Sequence, residues 1–218
     1  KESSAIDTRT YGSSLANISV PSVPMAPKVP CEWYKRRMTP ELLKKYKKIM
    51  LQWDKTLSKH NIDYTIAYGT ALGYNRHGGF IPWDDDIDLL VLEKNVLRIK
   101  SVLKKPLCTH KFWGGFKVFN CTSPRAGKYN WGYPFVDVFT EMTRYRVNSS
   151  PKIMFPSKPV VMDGISLHIP HDIQLHLDLK YENHAQCISP HWDHKNEISL
   201  TKVEYPCKDV MAQCYSGD

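Results

Sequence analysis

Apolar residues recur at three- and four-residue steps in one early segment, between positions 40 and 60. They are Leu42, Leu43, Tyr46, Ile49, Met50, Trp53 and Leu57. This period predicts an amphipathic helix over 40–60, because it gathers the apolar side chains on one face. Thr39-Pro40-Glu41 is a helix-start signal, with a capping hydroxyl, a proline in the first turn and a carboxylate near the positive end of the dipole. The opposite face carries several lysines, which is typical of a solvated surface; contact with an acidic partner is the less favoured interpretation.

Short apolar runs predict strands along the rest of the chain. The predicted strands cover 64–67, 87–92, 115–119, 135–139 and 144–147. A hairpin is predicted over 160–167, with its turn at Asp163-Gly164. Further helices are predicted over 93–104 and 171–182. Helices and strands are interspersed at first and strands dominate later, which predicts an α+β or mixed α/β fold.

The chain divides into a polar N-terminal segment and one folded region. Residues 1–30 are rich in Ser, Thr, Pro and Ala and show no apolar period, which predicts a stem or linker. An ordered arm along the domain surface is the alternative. Residues 31–218 have the length of a single domain. The chain opens on Lys and has no signal peptide, so we interpret it as processed or truncated, with room for a membrane anchor upstream.

Composition excludes two classes of protein. With 42% hydrophobic residues the chain cannot be wholly disordered, and no run approaches the ~20 apolar residues of a membrane span. The net charge of +8 suits an anionic partner without choosing among nucleic acid, phosphates, acidic glycans and an anionic membrane face.

Cysteines and glycosylation motifs indicate the compartment. The six cysteines are scattered and form no Cys-x-x-Cys pair, which predicts up to three disulfides; buried free thiols are the alternative. Asparagine sequons occur at Asn17, Asn120 and Asn148. Together these features predict the secretory pathway, in the Golgi or ER lumen or after secretion, with glycosylation at the three asparagines.

An acidic cluster, Asp84-Asp85-Asp86-Ile87-Asp88, carries the chemistry that the sequence predicts. Four carboxylates in five positions repel one another unless cations neutralise them. Asp86 and Asp88 stand two apart at the start of an apolar strand, so their side chains face the same side. Such a pair suits Mg²⁺, which takes one or two carboxylates and completes its shell with water and phosphate. A solvated acidic loop is the alternative, and the apolar flanks disfavour it.

Two further elements support a metal and phosphate site. Gly69-Thr70 ends a predicted strand and opens a short helix, where backbone N–H groups and a hydroxyl can face an anion. Asp137 is a single acid inside an apolar strand, where an unpartnered carboxylate is costly. We favour a metal shared with the cluster over a salt bridge or an edge position for Asp137.

These residues resemble the hallmark of the LicD/fukutin family. The resemblance is carried by Gly69-Thr70-x-Leu72-Gly73 and by the stretch over 76–88, and weaker similarity covers roughly 40–195. It implies a nucleotidyltransferase-like fold with a central mixed β-sheet flanked by helices. Glu182 follows Tyr181 where the family tends to have Gly, so the resemblance says less about the acceptor side.

The resemblance also implies an activity. Family members are thought to transfer a phosphorylated alcohol, such as ribitol phosphate or phosphocholine, from a CDP-activated donor to a glycan hydroxyl, with release of CMP. The expected partners are thus a CDP donor and a glycan or glycoprotein acceptor, and the expected cofactor is Mg²⁺ or Mn²⁺. Nucleic acid is not expected as a partner.

The roles implied by the resemblance fall on a few residues. Asp86, Asp88 and Asp137 are the expected catalytic residues and, with Asp84 assisting, the expected metal ligands. Donor binding is expected at Gly69 and Thr70, and at Arg76 either a phosphate contact or a fold-stabilising one. Asp137 is the candidate acceptor for the proton of the attacking hydroxyl.

The same residues are compatible with two other functions, and two other residue groups have alternative interpretations. A nucleotidyltransferase acting on a protein or small molecule would release pyrophosphate instead of CMP, and a silent glycan- or nucleotide-binding module is disfavoured by the intact acids. Cys187-x3-His191-x2-His194 matches no standard structural zinc spacing, so these histidines are expected at the surface or in the core. Lys117 is expected to be solvated, with a diphosphate contact as the alternative.

Overall fold

The computed structural model describes residues 28–140 and 150–216. Most of the predicted stem, the strand predicted over 144–147, and the sequons at Asn17 and Asn148 lie outside the described residues. The helices within them are α1 (Pro40–Lys59), α2 (Tyr68–His77), α3 (Val96–Val102), α4 (Pro151–Met154), α5 (Ile173–Lys180) and α6 (Cys207–Cys214), with short 3-10 turns at Cys31–Tyr34 and Glu93–Asn95.

Helix α1 confirms the predicted amphipathic helix. The Thr39 side chain accepts a hydrogen bond from the backbone N–H of Leu42 at its N-terminus. Its apolar face is buried, and Trp53 packs edge-on against Tyr64 and near Phe116. Full burial of an aliphatic side chain such as Leu57 contributes about 1.5–3 kcal/mol, so this face anchors the helix to the sheet.

A five-stranded mixed sheet forms the centre of the fold, in the order β1-β2-β5-β4-β3. Its strands are β1 (Thr65–Ile66), β2 (Ile87–Val91), β3 (Leu107–Phe112), β4 (Gly115–Asn120) and β5 (Phe135–Thr140). Strands β2 and β5 run parallel, and the other neighbours pair antiparallel. The sheet and its helices confirm the mixed α/β prediction, and the parallel pair becomes the floor of the candidate site.

Shorter ladders complete the described structure. They are the hairpin β6 (Lys158–Met162) with β7 (Ile165–Ile169), and the pairs of β8 (Gln186–Ile188) with β11 (Glu204–Pro206) and of β9 (Trp192–Asp193) with β10 (Ile198–Ser199). The predicted turn is confirmed: Asp163 and Gly164 both have positive φ, at 49° and 71°, as a tight two-residue hairpin turn requires.

All six cysteines are paired, which confirms the disulfide prediction. The bonds are Cys31–Cys214, Cys108–Cys121 and Cys187–Cys207. Such a set is typical of extracellular or secretory-pathway proteins. Among the described residues, none of the helices has the length and apolar character to span a bilayer.

Candidate active site

The register of the sheet sets three charged residues in one row. The parallel pairing of β2 and β5 places Asp88 opposite Asp137, and the antiparallel pairing of β5 and β4 places Lys117 opposite Asp137. Asp86 lies just before β2, and ligand oxygens of Asp86, Asp88 and Asp137 lie within 4.8 Å of one another. The structure therefore brings together the three residues expected to be catalytic.

Lys117 departs from the solvated position expected for it. Its side chain is only 9% exposed, and its Nζ donates to both carboxylate oxygens of Asp137, at 2.9 and 3.1 Å. The ammonium also lies 3.6 Å from the ring centroid of Phe135. Neighbouring aromatic rings and the paired strand exclude water there, so the charge is buried against a partner. Asp137 therefore forms the salt bridge that was the alternative interpretation, and it also lies close to Asp86 and Asp88.

Burial and mutual repulsion destabilise the charged form of these carboxylates, and a bound cation would offset that effect. Burial raises the pKa of Asp86 well above its usual range; His194 lowers it and the neighbouring carboxylates raise it. Burial also raises the pKa of Asp137, although the Lys117 ammonium opposes that shift. Bound cations would relieve this cost, and the carboxylate oxygens fit hard ions such as Mg²⁺ or Mn²⁺.

His194 joins the site from a distant part of the chain. It follows β9, and its Nε2 lies 3.3 Å from Asp86 Oδ2. A second group of ligand atoms lies within 4.8 Å of one another, with one atom each from Asp84, Asp86 and His194. Burial disfavours the charged ring, but the surrounding carboxylates raise the pKa of His194 to about 10. The sequence predicts a surface or core histidine here; the ring is largely buried, as a core histidine is, and it also lies at the edge of the acidic cluster.

Asp85 belongs to neither group of converging ligand atoms and holds their surroundings in place. Its carboxylate accepts from His194 Nδ1 at 2.8 Å and pairs with Arg37 Nη2 at 2.8 Å. The Tyr46 hydroxyl donates to the Asp85 backbone carbonyl at 2.9 Å. Local pattern assigns no role to Arg37 or Asp85, because their partners are far away along the chain.

Gly69 and Thr70 lie at the start of α2, against the acids. A Cβ at Gly69 would lie 3.1 Å from Asp84 Oδ2 and would crowd it, whereas its 3.6 Å distance to Asp88 Oδ2 is an ordinary contact. The Thr70 hydroxyl accepts from the Asp88 backbone N–H at 2.8 Å and so fixes the start of β2. Donor-phosphate binding by Gly69 and Thr70 stays a prediction.

Arg76 makes the contacts expected of a fold-stabilising residue. Its Nη1 donates to the Gln186 carbonyl at 3.1 Å, and its Nε donates to His77 Nε2 at 2.9 Å. Burial lowers the pKa of its guanidinium. The side chain also lines a cavity of about 160 Å³ that adjoins the acids through Gly69 and Asp84, so a phosphate contact stays a prediction.

The acids open into a larger cleft of about 670 Å³ with aromatic walls. Tyr129 and Trp131 stack with ring centroids 4.4 Å apart. The Glu197 carboxylate accepts from the indole N–H of Trp131 at 2.8 Å and from that of Trp192 at 3.0 Å. The cleft thus offers flat rings to a base or sugar beside a floor of carboxylates.

Comparison with known proteins gives the class of this domain and then its family. A family model described as the nucleotidyltransferase domain of LicD, FKTN and FKRP matches residues 61–172, just over half of the chain. The matched part contains the acidic cluster, Asp137 and the start of α2, within a mixed α/β fold. The chain belongs to the LicD/FKTN/FKRP family.

Curated relatives match over part of their length. The lipopolysaccharide cholinephosphotransferase LicD of Haemophilus influenzae is 31% identical over 111 residues, covering 45% of this chain and 41% of the relative. An uncharacterised protein of Rickettsia prowazekii is 33% identical over 82 residues, covering 33% of this chain and 31% of the relative. The matches thus span less than half the length of either relative.

Solved structures show similarity at low identity. ANT(2")-Ia in complex with adenylyl-2"-tobramycin has a TM-score of 0.41 and 14% identity, covering 66% of this chain and 76% of that one. An antigenic nucleotidyltransferase-like protein from Paracoccidioides brasiliensis has a TM-score of 0.36 and 14% identity, covering 58% and 61%. No function or residue role of this protein is inferred from these two structures.

Proposed function

We propose that this protein is a metal-dependent phosphotransferase that moves a phosphorylated alcohol from a CDP-activated donor to a glycan hydroxyl and releases CMP. The observation that carries the proposal is the convergence of Asp86, Asp88 and Asp137 at the floor of the cleft. Family membership supports a transferase, and the printed name of the Haemophilus influenzae relative supports a choline-phosphate type of donor.

The reaction places specific demands on these residues. The acceptor oxygen forms a bond to the phosphorus that carries the alcohol, and the bond from that phosphorus to CMP breaks. Mg²⁺ or Mn²⁺ held by Asp86, Asp88 and Asp137, with Asp84 assisting, would neutralise the charge of the diphosphate. Asp137 accepts the hydroxyl proton, and Lys117 holds its carboxylate in a fixed orientation. Gly69 has no side chain to crowd Asp84, which would let the donor phosphates approach the acids.

The compartment is part of the proposal. Three disulfides fit an oxidising lumen, and we place the protein in the ER or Golgi lumen or outside the cell. Asn120 ends β4 beside the Cys108–Cys121 bond and is partly exposed, so it can carry a glycan. Glycosidase treatment of secreted wild type and Asn120→Gln should show a mobility shift in the wild type that the variant loses or reduces.

Calorimetric titration with CDP-choline and CDP-ribitol tests the donor. We expect binding in the presence of Mg²⁺ or Mn²⁺ that chelator removes and that Asp88→Ala abolishes. Asp209→Asn, on α6, is the matched control and should bind as the wild type does. Failure of a folded wild-type protein to bind either donor under any of these conditions would exclude the donor assignment.

Product analysis separates the proposed reaction from its alternatives. CMP release that depends on an added glycan acceptor supports phosphoalcohol transfer. Pyrophosphate release from a nucleoside triphosphate would instead identify a nucleotidyltransferase. Metal-dependent binding without release of either product would identify a silent binding module.

A further inference from the structure

The ring of His194 is oriented between two carboxylates with different surroundings. Nδ1 lies 2.8 Å from Asp85 Oδ1, while Nε2 faces Asp86 Oδ2 at 3.3 Å. Asp85 is in turn fixed by Arg37, so the first contact is anchored on both sides. Histidines that bind metals commonly donate one ring N–H to a carboxylate and present the other nitrogen to the ion. His194 has this arrangement, with Nε2 on the side of the acids.

We propose that His194 is a metal ligand, and that with Asp84 and Asp86 it forms a second divalent-cation position beside the one formed by Asp86, Asp88 and Asp137. Asp86 belongs to both groups, so its carboxylate bridges the two positions. The role of this position in catalysis rests on the function proposed above, whereas its occupancy by a cation does not.

Contacts from Arg37 hold the segment that carries His194 in place, as a metal ligand requires. Arg37 Nη1 donates to the backbone carbonyl of Trp192 at 3.0 Å, and Arg37 Nη2 also lies 3.4 Å from Asp193. The backbone N–H of Arg37 donates to the Pro82 carbonyl at 2.8 Å, which joins the same residue to the loop that carries the acids. Arg37 therefore contacts both the segment that carries His194 and the loop that carries Asp84 and Asp86.

The two positions differ in the ions that they favour. Three carboxylates suit Mg²⁺, which prefers oxygen ligands. One imidazole and two carboxylates suit Mn²⁺, Co²⁺ or Zn²⁺ better, since nitrogen ligands favour these ions over Mg²⁺. We therefore expect Mg²⁺ to compete with Mn²⁺ less effectively at the His194 position than at the other one.

The competing interpretation is that His194 is only an internal counter-ion. As an imidazolium it would neutralise Asp85 and Asp86 without touching a metal. The two roles have opposite consequences. Removing a ligand weakens cation binding, whereas removing a positive charge from beside the acids strengthens it.

Pulsed electron paramagnetic resonance of the wild-type protein loaded with Mn²⁺ tests the proposal without any variant. A coordinated imidazole gives hyperfine modulation from a directly bound ¹⁴N. We expect that modulation, and its loss in His194→Asn, whose amide can still donate to Asp85. Mn²⁺-loaded wild type without ¹⁴N modulation would overturn the proposal.

Mn²⁺ titrations of the variants give the second measurement. His194→Asn should weaken Mn²⁺ binding at one position by about tenfold or more, and should reduce the preference for Mn²⁺ over Mg²⁺. His191→Asn is the matched control, because His191 lines the same cleft but is not among the described groups that converge on the acids. Equal or tighter Mn²⁺ binding by His194→Asn would identify a counter-ion and overturn the proposal.

The two proposals can fail separately. Imidazole-coordinated Mn²⁺ in a protein that binds no CDP donor would leave the second cation position standing and exclude the donor assignment. CMP release by a protein without ¹⁴N modulation would support the phosphotransferase and exclude His194 as a ligand.

Discussion

Replacing Lys117 by Met removes the buried cation that pairs with Asp137 and also lies 3.6 Å from Glu197 Oε1. The Lys117 and Asp137 side chains are 9% and 10% exposed, and the ammonium contacts both carboxylate oxygens. Loss of one partner from such a pair costs about 3–5 kcal/mol, because the remaining charge is left buried and uncompensated. Burial already raises the pKa of Asp137, so proton uptake limits the cost, and we expect about 3 kcal/mol.

Urea unfolding of the metal-free protein near neutral pH measures this loss. In a domain of this size it corresponds to a fall in Tm of about 6–12 °C. Lys111→Met, an exposed lysine on β3, is the control and should change stability by less than about 0.5 kcal/mol. Saturating Mg²⁺ should stabilise Lys117→Met more than the wild type, because a bound cation replaces the missing ammonium.

A double-mutant cycle with Asp137→Asn tests the reasoning itself. The double variant should lose less stability than the two single losses added together, with a coupling of at least about 1 kcal/mol. Strict additivity, or a loss below about 1 kcal/mol for Lys117→Met, would show that the ion pair does not hold the two strands as described.

Three further predictions address other parts of the molecule. The pKa of His194 is raised from 6.5 to about 10 in the folded state, so its stabilising contribution is complete below pH 6.5 and is lost as the pH rises through 10. Between these two pH values the Tm of the metal-free wild type should therefore fall more steeply than the Tm of His194→Asn, and parallel curves would contradict this. Gly69→Ala should weaken Mn²⁺ binding by about tenfold in a folded protein, because the new Cβ displaces Asp84; calorimetry showing unchanged affinity would refute it. Replacing Cys31 and Cys214 by Ser should lower the free energy of unfolding by about 2–4 kcal/mol in urea titrations, and no change would show that this bond does not constrain the chain.

Local pattern was enough to predict the elements that carry the acids. Helix α1 has a clear apolar period and cap, and β2 and β5 are short runs of buried residues, so each could be predicted without its neighbours. Local pattern does not predict strand β3, because its apolar positions are interrupted by Thr109, His110 and Lys111, as is common in an edge strand with one exposed face. Its pairing with β4 decides its structure, and pairing is not visible in a local pattern.

Within the site, the sequence indicated the acids but not what surrounds them. Asp86 and Asp88 stand two residues apart in the chain, and their spacing is informative by itself. Lys117 reads as a solvated lysine until the register of β4 and β5 places it against Asp137. His194 reaches Asp86 only through the docking of the C-terminal segment, and no spacing rule connects residues so far apart.

The geometry of the acids depends on anchors from several parts of the chain. Thr70 of α2 holds the start of β2, Lys117 of β4 holds Asp137, and Arg37 ahead of α1 holds Asp85 and, through it, His194. Buried acids that repel one another would otherwise move apart or take up protons, and either change would weaken a cation site. Cation affinity should therefore depend on the docking of the sheet, α2 and the C-terminal segment together, because the ligand oxygens converge only when all three are in place.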